Sequence, residues 1–367
     1  QWITNNNLYL ILILQSIIDS FTCVMIFNCA GLLNKKYQLY TGLFASFSPL
    51  MVIISSQILS DTIFLFTFTC CLYFLLKYWR LKNLNYMLYL SGLLLGISTF
   101  IRAATFPLIF LSLPVIYFII KLYKTDNKKV LISLLIFFVM SIAPISYRWV
   151  NNIIYYDTFA LTSQSGSHAA YWMVPGVLSV SKGIDRNSSV ALVNREIDKI
   201  GGITNEPYKD SSTMLSVSLG IISEENLLHI SYAWLRSSII NIIVSPILID
   251  SRIRNMIHPS FAKQGNIVKW ITTLFSKKEY FLYTSFLLLS FLLSLFSGLA
   301  VVIGYYIFIK TDLFLSILSL FIIAFFCLIT GPTISPKYCL PYIPIIFYLQ
   351  AISIDKLFFF IKKRKYR

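Results

Sequence analysis

The chain has 367 residues, 57% of them hydrophobic and only 13% charged, with a mean hydropathy of +0.74. Soluble domains carry about a quarter charged residues, so the composition excludes a soluble globule and implies an integral membrane protein. The formal net charge of +16 comes from 31 Lys+Arg against 15 Asp+Glu. In a soluble chain it would suggest nucleic acid, but in a membrane chain its distribution decides its meaning, and here that meaning is topological.

Each helical span takes roughly 20 apolar residues, which leaves room for about nine spans and one sizeable water-facing segment. The apolar runs predict an all-α polytopic bundle with spans at 8–33, 39–57, 58–78, 87–103, 104–122, 130–148, 281–309, 311–330 and 336–354. Six spans thus form an N-terminal membrane bundle, 1–148. A long extracytoplasmic loop, 149–280, holds most of the Asp, Glu, Gly and Ser. Three further spans and a basic tail make up 281–367. The chain starts at Gln1 and is already entering an apolar run at Leu8, which leaves no room for a signal peptide and suggests that the natural N-terminus lies upstream.

The basic residues sort by loop, as the positive-inside rule requires. Lys35 and Lys36 follow the first span, Lys77, Arg80 and Lys82 the third, and Lys121, Lys124, Lys128 and Lys129 the fifth. Lys356, Lys362, Lys363, Arg364, Lys365 and Arg367 close the chain, and nine spans put that tail on the same, cytoplasmic side. The long segment is nearly balanced, with 12 Lys+Arg against 10 acidic residues, and belongs outside. Within it, 227–249 is apolar enough for a tenth span. Arg236 near its middle would cost about 2.5–3.5 kcal/mol at the bilayer centre, so an interfacial amphipathic helix is preferred, with His229, Tyr232 and Trp234 at headgroup level.

Few residues in or beside the spans carry chemistry. Asp19 follows Gln15 by four residues and shares its helix face, either as a polar contact between helices or as a functional carboxylate. Asp61 in SSQILSDTIFLF sits at the mouth of a span, where a carboxylate pairs with a cation or accepts from a sugar hydroxyl; Ser60 or Asp61 also suits a helix N-cap. Arg102 ends GLLLGISTFIRAATFP at the same mouth, with no other charge nearby in sequence. It suits a phosphate through its planar fork, or else snorkels. GPTISPKYCLPYIP places Lys337 and Tyr338 at that face too, in a proline-rich lead-in tolerated where backbone lines a cavity. The four residues define an outward cleft of mixed charge.

The patterns GxxxxGK[ST], GxSxG and HExxH are absent. With only three histidines, His168, His229 and His258, a histidine-based metal site is not expected. The six cysteines lack metal-ligand spacing and read as small hydrophobes. Asn187-Ser188-Ser189 is a formal glycosylation sequon, a triplet that arises often by chance.

The order of SDTIFLFTFTCCLYFLL, a basic loop, LSGLLLGISTFIRAATFPL, a long outer loop and PKYCLPYIPIIFYL resembles the membrane-embedded GT-C glycosyltransferases. The likeness is to the protein O-mannosyltransferase and aminoarabinose transferase branch, strongest over 8–122, weaker around 144–176 and visible again at 331–354. The resemblance implies a GT-C-type bundle that moves a sugar from a polyprenyl-phosphate donor to a glycan, lipid or protein acceptor. The active face would be extracytoplasmic, in the bacterial inner membrane. Asp61 matches the family's acidic residue, Arg102 its basic residue, and Lys337-Tyr338 its Arg-Tyr pair. Asn152 resembles an asparagine after the sixth span, although Asn151 stands where the family carries arginine. The resemblance also puts the catalytic acid in the first outer loop, ahead of Gln1, and allows a divalent cation. The readings set against it are a transporter or flippase of lipid-linked saccharides, which would show interrupted helices and mid-membrane ions, and an inactive truncated remnant.

Overall fold

The computed structural model describes residues 7–81, 85–123, 126–260, 264 and 266–365, and among these it is helical with no strand. Lys82, Lys124 and Arg367, expected among the basic residues of one face, and Gln1 lie outside the described residues.

The bundle opens with α1, Leu8–Leu33, capped by the Asn7 side chain, which accepts from the Tyr9 and Leu10 backbone N–H groups. Then come α2, Lys35–Ser46, α3, Pro49–Ser55, α4, Asp61–Leu81, and α5, Asn85–Ile101. Next are α6, Phe106–Lys121, led in by a 3-10 turn over Ala103–Thr105, and α7, Asn127–Tyr156. After the central region, α15, Phe281–Thr311, α16, Leu313–Thr330, and α17, Ile343–Lys365, complete the membrane part. Seven helical stretches among the described residues are long and apolar enough to cross a membrane: Leu8–Leu33, Asp61–Leu81, Ala103–Lys121, Asn127–Tyr156, Lys278–Thr311, Leu313–Thr330 and Pro336–Phe358. An eighth exists if α2 and α3, bent by 48° at the Phe47–Ser48 break, count as one span. All nine expected segments are helical, but α5 has only 17 residues, and α7 runs eight residues beyond its expected end.

Glycine sets the closest packing in the bundle. Gly92 and Gly96 of α5 face the Phe137 and Ser141 carbonyl oxygens of α7, and a Cβ at either would collide with them. This is the small-residue spacing by which membrane helices bring their backbones together. Around that contact the core is apolar, with Phe68, Tyr78, Leu88, Ile109, Ile116 and Phe137 almost fully buried.

Two of the basic residues expected on one side, Lys36 and Arg80, lie at the same end of the bundle. Lys36 at the start of α2 pairs with Asp355 of α17 at 2.6 Å, and Arg80 of α4 donates to the Leu33 carbonyl that ends α1.

Residues 149–280, the segment expected between the sixth and seventh spans, are largely helical. After α7 ends at Asp157 in left-handed conformation (φ 48°), the chain folds into α8, Gln164–His168, which passes through one π-helical turn, Ala169–Met173, into α9, Val174–Ser181. There follow α10, Arg186–Lys199, α11, Pro207–Ser223, and α12, Leu227–Ile243. These pack on a small core of Ala170, Val174, Val177, Leu178, Val193, Ile197, Ile222 and Ala233. Lys182 reaches Glu225 at 2.6 Å and holds its carboxyl below the usual range.

The 227–249 segment contains α12, which at 17 residues is too short to count as a span. It buries Ala233, Ser237 and Asn241 and exposes Leu228, Tyr232, Leu235 and Ile239, while Arg236 is exposed. The short α13, Ser251–Arg254, leads to α14, Ile267–Ser276. There apolar residues recur at Ile267, Val268, Ile271, Leu274 and Phe275, and only Leu274 is buried. Thus α14, like α12, turns an apolar face outward, the form of an interfacial helix.

Candidate functional site

Asp61 is the first residue of α4, so its charge meets the positive end of that helix, and its side chain makes no capping hydrogen bond. The Ser60 carbonyl begins the helix ladder by accepting from the Phe64 N–H. One turn away in space, Gln15 of α1 donates its amide to the Leu59 carbonyl at 2.8 Å and fixes the loop that delivers Asp61. Gln15 and Asp19, expected on one helix face, meet different surroundings. Gln15 turns toward this mouth, and Asp19 faces elsewhere.

Arg102 leaves α5 in extended conformation, because Ala103–Thr105 starts a new turn. Its Nη2 lies 2.8 Å from Asp61 Oδ1, and its guanidinium lies 5.5 Å from the centre of the Phe64 ring. Arg102 is isolated only in sequence; folding gives it a carboxylate partner. The Asp61 side chain is 4% exposed and that of Arg102 is 26% exposed, so the pair is largely withdrawn from solvent. The N–H vectors do not point along the contact, and Oδ1 keeps no hydrogen bond among the described residues. A buried carboxylate held by an ion pair beside a partly exposed guanidinium offers an acceptor and several donors to a ligand.

Tyr338 completes the mouth. It stands in the 3-10 stretch Pro336–Tyr342 and feels the charges of both Arg102 and Asp61. The Lys337 ammonium lies 5.6 Å from the Tyr338 ring centre. Three expected residues, Asp61, Arg102 and Tyr338, are thus in one place, with Lys337 beside them. Asn152 is not shown to join them. It is buried in α7, and its side chain donates to the Ala160 carbonyl at 2.8 Å, locking the turn after the helix. The left-handed Asp157 turns the chain back over the end of α7, and this hydrogen bond ties the turn down.

His168 has no motif to mark it in sequence, yet folding brings it here. Its Nε2 lies 3.1 Å from the Thr330 carbonyl oxygen, and its ring meets Tyr338 edge to face with centroids 6.2 Å apart. A carbonyl can only accept, so Nε2 is the donor of this contact.

The strap 328–335, which leads into Lys337 and Tyr338, is held from the helical region. Trp234 donates to the Leu328 carbonyl, Ser237 to that of Gly331 and Asn241 to that of Thr333. Asn241 also accepts from the Ser335 N–H at 2.8 Å. Gly176 of α9 lies so close to the Pro332 carbonyl that a Cβ would overlap it. Gly331 itself has φ 69°, which permits the turn out of α16. Nothing in the local pattern of α12 predicts these tethers, since its buried polar stripe reads as the solvent side of an ordinary helix.

Deeper in the bundle lies an apolar cavity of about 130 Å³. Phe68, Leu95, Leu108 and Phe137 line its part nearest the mouth, and Trp79, Phe308 and Leu315 its far end. Among the described residues no group of three or more His, Cys, Asp or Glu is placed to hold a metal, and all six cysteines are free. No family model, curated protein or solved structure matches the chain.

Proposed function

We propose that the chain is a glycosyltransferase that moves a sugar from a polyprenyl-phosphate donor to an acceptor on the extracytoplasmic face of the bacterial inner membrane. The observation that carries this reading is the Asp61–Arg102 pair with Tyr338 and Lys337 beside it at one end of the bundle. The arrangement suits direct displacement at the anomeric carbon. As the bond to the donor phosphate breaks, negative charge grows on the leaving oxygen, and Arg102 and Lys337 offset it in a site poor in water. Asp61 Oδ1 accepts a hydroxyl of the sugar or acceptor and orients it. The prenyl tail follows the apolar cavity between the spans. The general base is outside this set, because Asp61 is committed to Arg102.

The test is binding followed by transfer in proteoliposomes. Polyprenyl phosphate should bind at least ten-fold more tightly than uncharged polyprenol, with the difference lost in Arg102→Ala and Lys337→Ala. Equal binding of the two lipids, or no transfer from a broad panel of labelled lipid-linked sugars, would refute the reading.

One observation favours a second reading, a transporter or flippase of lipid-linked saccharides. The 48° break between α2 and α3 lies beside Asp19, and interrupted helices near a mid-membrane charge are a transporter feature. Movement of a fluorescent lipid-linked saccharide between leaflets, without sugar transfer, would select it.

A further inference from the structure

The charges of 149–280 are unevenly placed. Between 251 and 280 stand six basic residues, Arg252, Arg254, Lys263, Lys269, Lys277 and Lys278, against a single acidic one, Glu279, whereas 149–250 carries nine acidic residues against six basic. Arg252 pairs with Asp250 and Lys277 with Glu279. Lys269 and Lys278 are exposed and meet no carboxylate among the described residues. The positive-inside rule accounts for Lys36 and Arg80 at the other end of the bundle, but charge in a segment this long does not set topology, so these cations need another reason.

The same basic stretch holds α14, whose sides differ. Ile267, Ile271 and Phe275 recur every four residues with Val268 beside them, and all four are exposed. Lys269, Thr272, Thr273 and Ser276 make up the polar side. Leu274 is buried, and the half-buried Trp270 donates to the Pro259 carbonyl at 2.8 Å. The protein thus covers α14 through Leu274 and Trp270 and leaves the neighbouring apolar arc bare.

The span that follows sets the level of this helix. The Leu274 carbonyl accepts from the hydroxyl of Thr284, in the first turn of α15, at 3.4 Å. The His258 ring stacks on that of Tyr283 with centroids 4.1 Å apart. These contacts fix α14 and the chain before it to the start of α15. That helix has 31 residues, about 46 Å, which matches the roughly 40–45 Å of a bilayer with its headgroups. Exposed apolar side chains run along it from Phe281 to Ile309, so its first turn emerges at headgroup level, and α14 with it. Gln350 donates to Ser297 and Ser353 to the Ala300 carbonyl, so α15 runs parallel to α17 and starts at the end of the bundle that carries Tyr338.

At that level the occupant of the arc is already at hand, because lipid must cover Phe281 and Leu282. An apolar arc flanked by unpaired lysines binds a lipid surface through both its acyl chains and its negative headgroups. We infer that α14, with Lys269 and Lys278, is a docking surface for anionic phospholipid, which lays its acyl chains on the apolar arc and its headgroup phosphates on the two lysines. The inference does not depend on the proposed transferase activity.

The test places the full chain in nanodiscs of phosphatidylcholine and phosphatidylglycerol. Cys23→Ala and Cys327→Ala remove the two half-buried thiols, the other four cysteines are buried, and Ile271→Cys takes a fluorescent label. Doxyl groups on the acyl chains of one lipid or the other serve as quenchers. Both lipids should quench the label, and at equal mole fraction phosphatidylglycerol should quench about three-fold or more above phosphatidylcholine. Lys269→Gln combined with Lys278→Gln should bring that ratio near one while quenching persists, and high salt should do the same by screening. Equal quenching by the two lipids on the chain that keeps both lysines overturns the inference, as does a preference that survives the double substitution. Absence of quenching by either lipid also overturns it, because the arc is then covered by protein. Displacement of labelled phosphatidylglycerol by one polyprenyl phosphate per chain assigns the surface to that lipid and overturns the inference as well.

Discussion

Replacing Arg102 by alanine removes the only cation shown beside a carboxylate that is 4% exposed. Breaking a buried pair from one side costs about 3–5 kcal/mol, because the remaining charge stays desolvated and unpaired. Arg102 is itself 26% exposed, and the contact lacks a well-aligned hydrogen bond, so the lower end applies, about 3 kcal/mol. Asp61→Asn is gentler, about 1–2 kcal/mol, because it leaves a cation that already reaches water and can turn further toward it. The double variant Asp61→Asn with Arg102→Gln removes both charges and should cost less than the sum of the singles, by about 1–3 kcal/mol of coupling. Cys29, Cys70, Cys71 and Cys339 are buried, so a thiol-reactive dye reports unfolding in a titration of mixed micelles. If Arg102→Ala costs under about 1 kcal/mol and the coupling is zero within error, the pair is not the desolvated unit argued above.

Three further outcomes follow from the packing and the charges. Asn241→Ala removes two hydrogen bonds, at Thr333 and Ser335, from a side chain that is almost fully buried; it should cost about 2–4 kcal/mol by micelle titration. It should also weaken polyprenyl-phosphate binding without touching the ligand. Gly304→Ala drives a Cβ into the Leu349 carbonyl and should destabilise by about 1–3 kcal/mol. Gly220→Ala, in α11 with nothing within 4 Å, should be neutral or stabilise by up to about 1 kcal/mol; thermal unfolding of the two separates close approach from helix propensity. Glu225 is held below its ordinary value of 4.5 by Lys182, so its contribution is complete above that value and is lost as pH falls through the lower folded value. Hydrogen exchange in α9 and α11 should therefore quicken below about pH 4.5 more steeply in the unaltered chain than in Glu225→Gln.

The membrane helices were legible because a span announces itself by length and apolarity; the close contact at Gly92 and Gly96 came only with the structure. Asp61, Arg102 and Tyr338 were legible as residues at span ends, since alternation of the spans puts such ends together. The ion pair was not, because 41 residues separate its members and no local pattern encodes it. Residues 149–280 read as a loop because short helices with mixed faces leave no long period. Asn152 fitted a family position, but its side chain is spent on the Ala160 carbonyl. The helix expected at 227–249 is α12, which hides a polar stripe against the strap and turns apolar residues outward; α14 carries a second outward apolar face that the sequence reading did not single out.

The strap also carries information about time. Trp234, Ser237 and Asn241 wait for partners that lie 92 to 94 residues later in the chain. During synthesis α12 is therefore finished well before the carbonyls it must satisfy exist, and α15 and α16 have to be inserted first. The mouth built by Asp61 and Arg102 stands open through that interval, and it closes only when the last hairpin arrives with Tyr338. A ribosome paused between Thr311 and Pro336 would leave a membrane protein with nearly all its helices in place and its site unmade, which makes that interval the natural one for a chaperone or a quality-control protease to inspect.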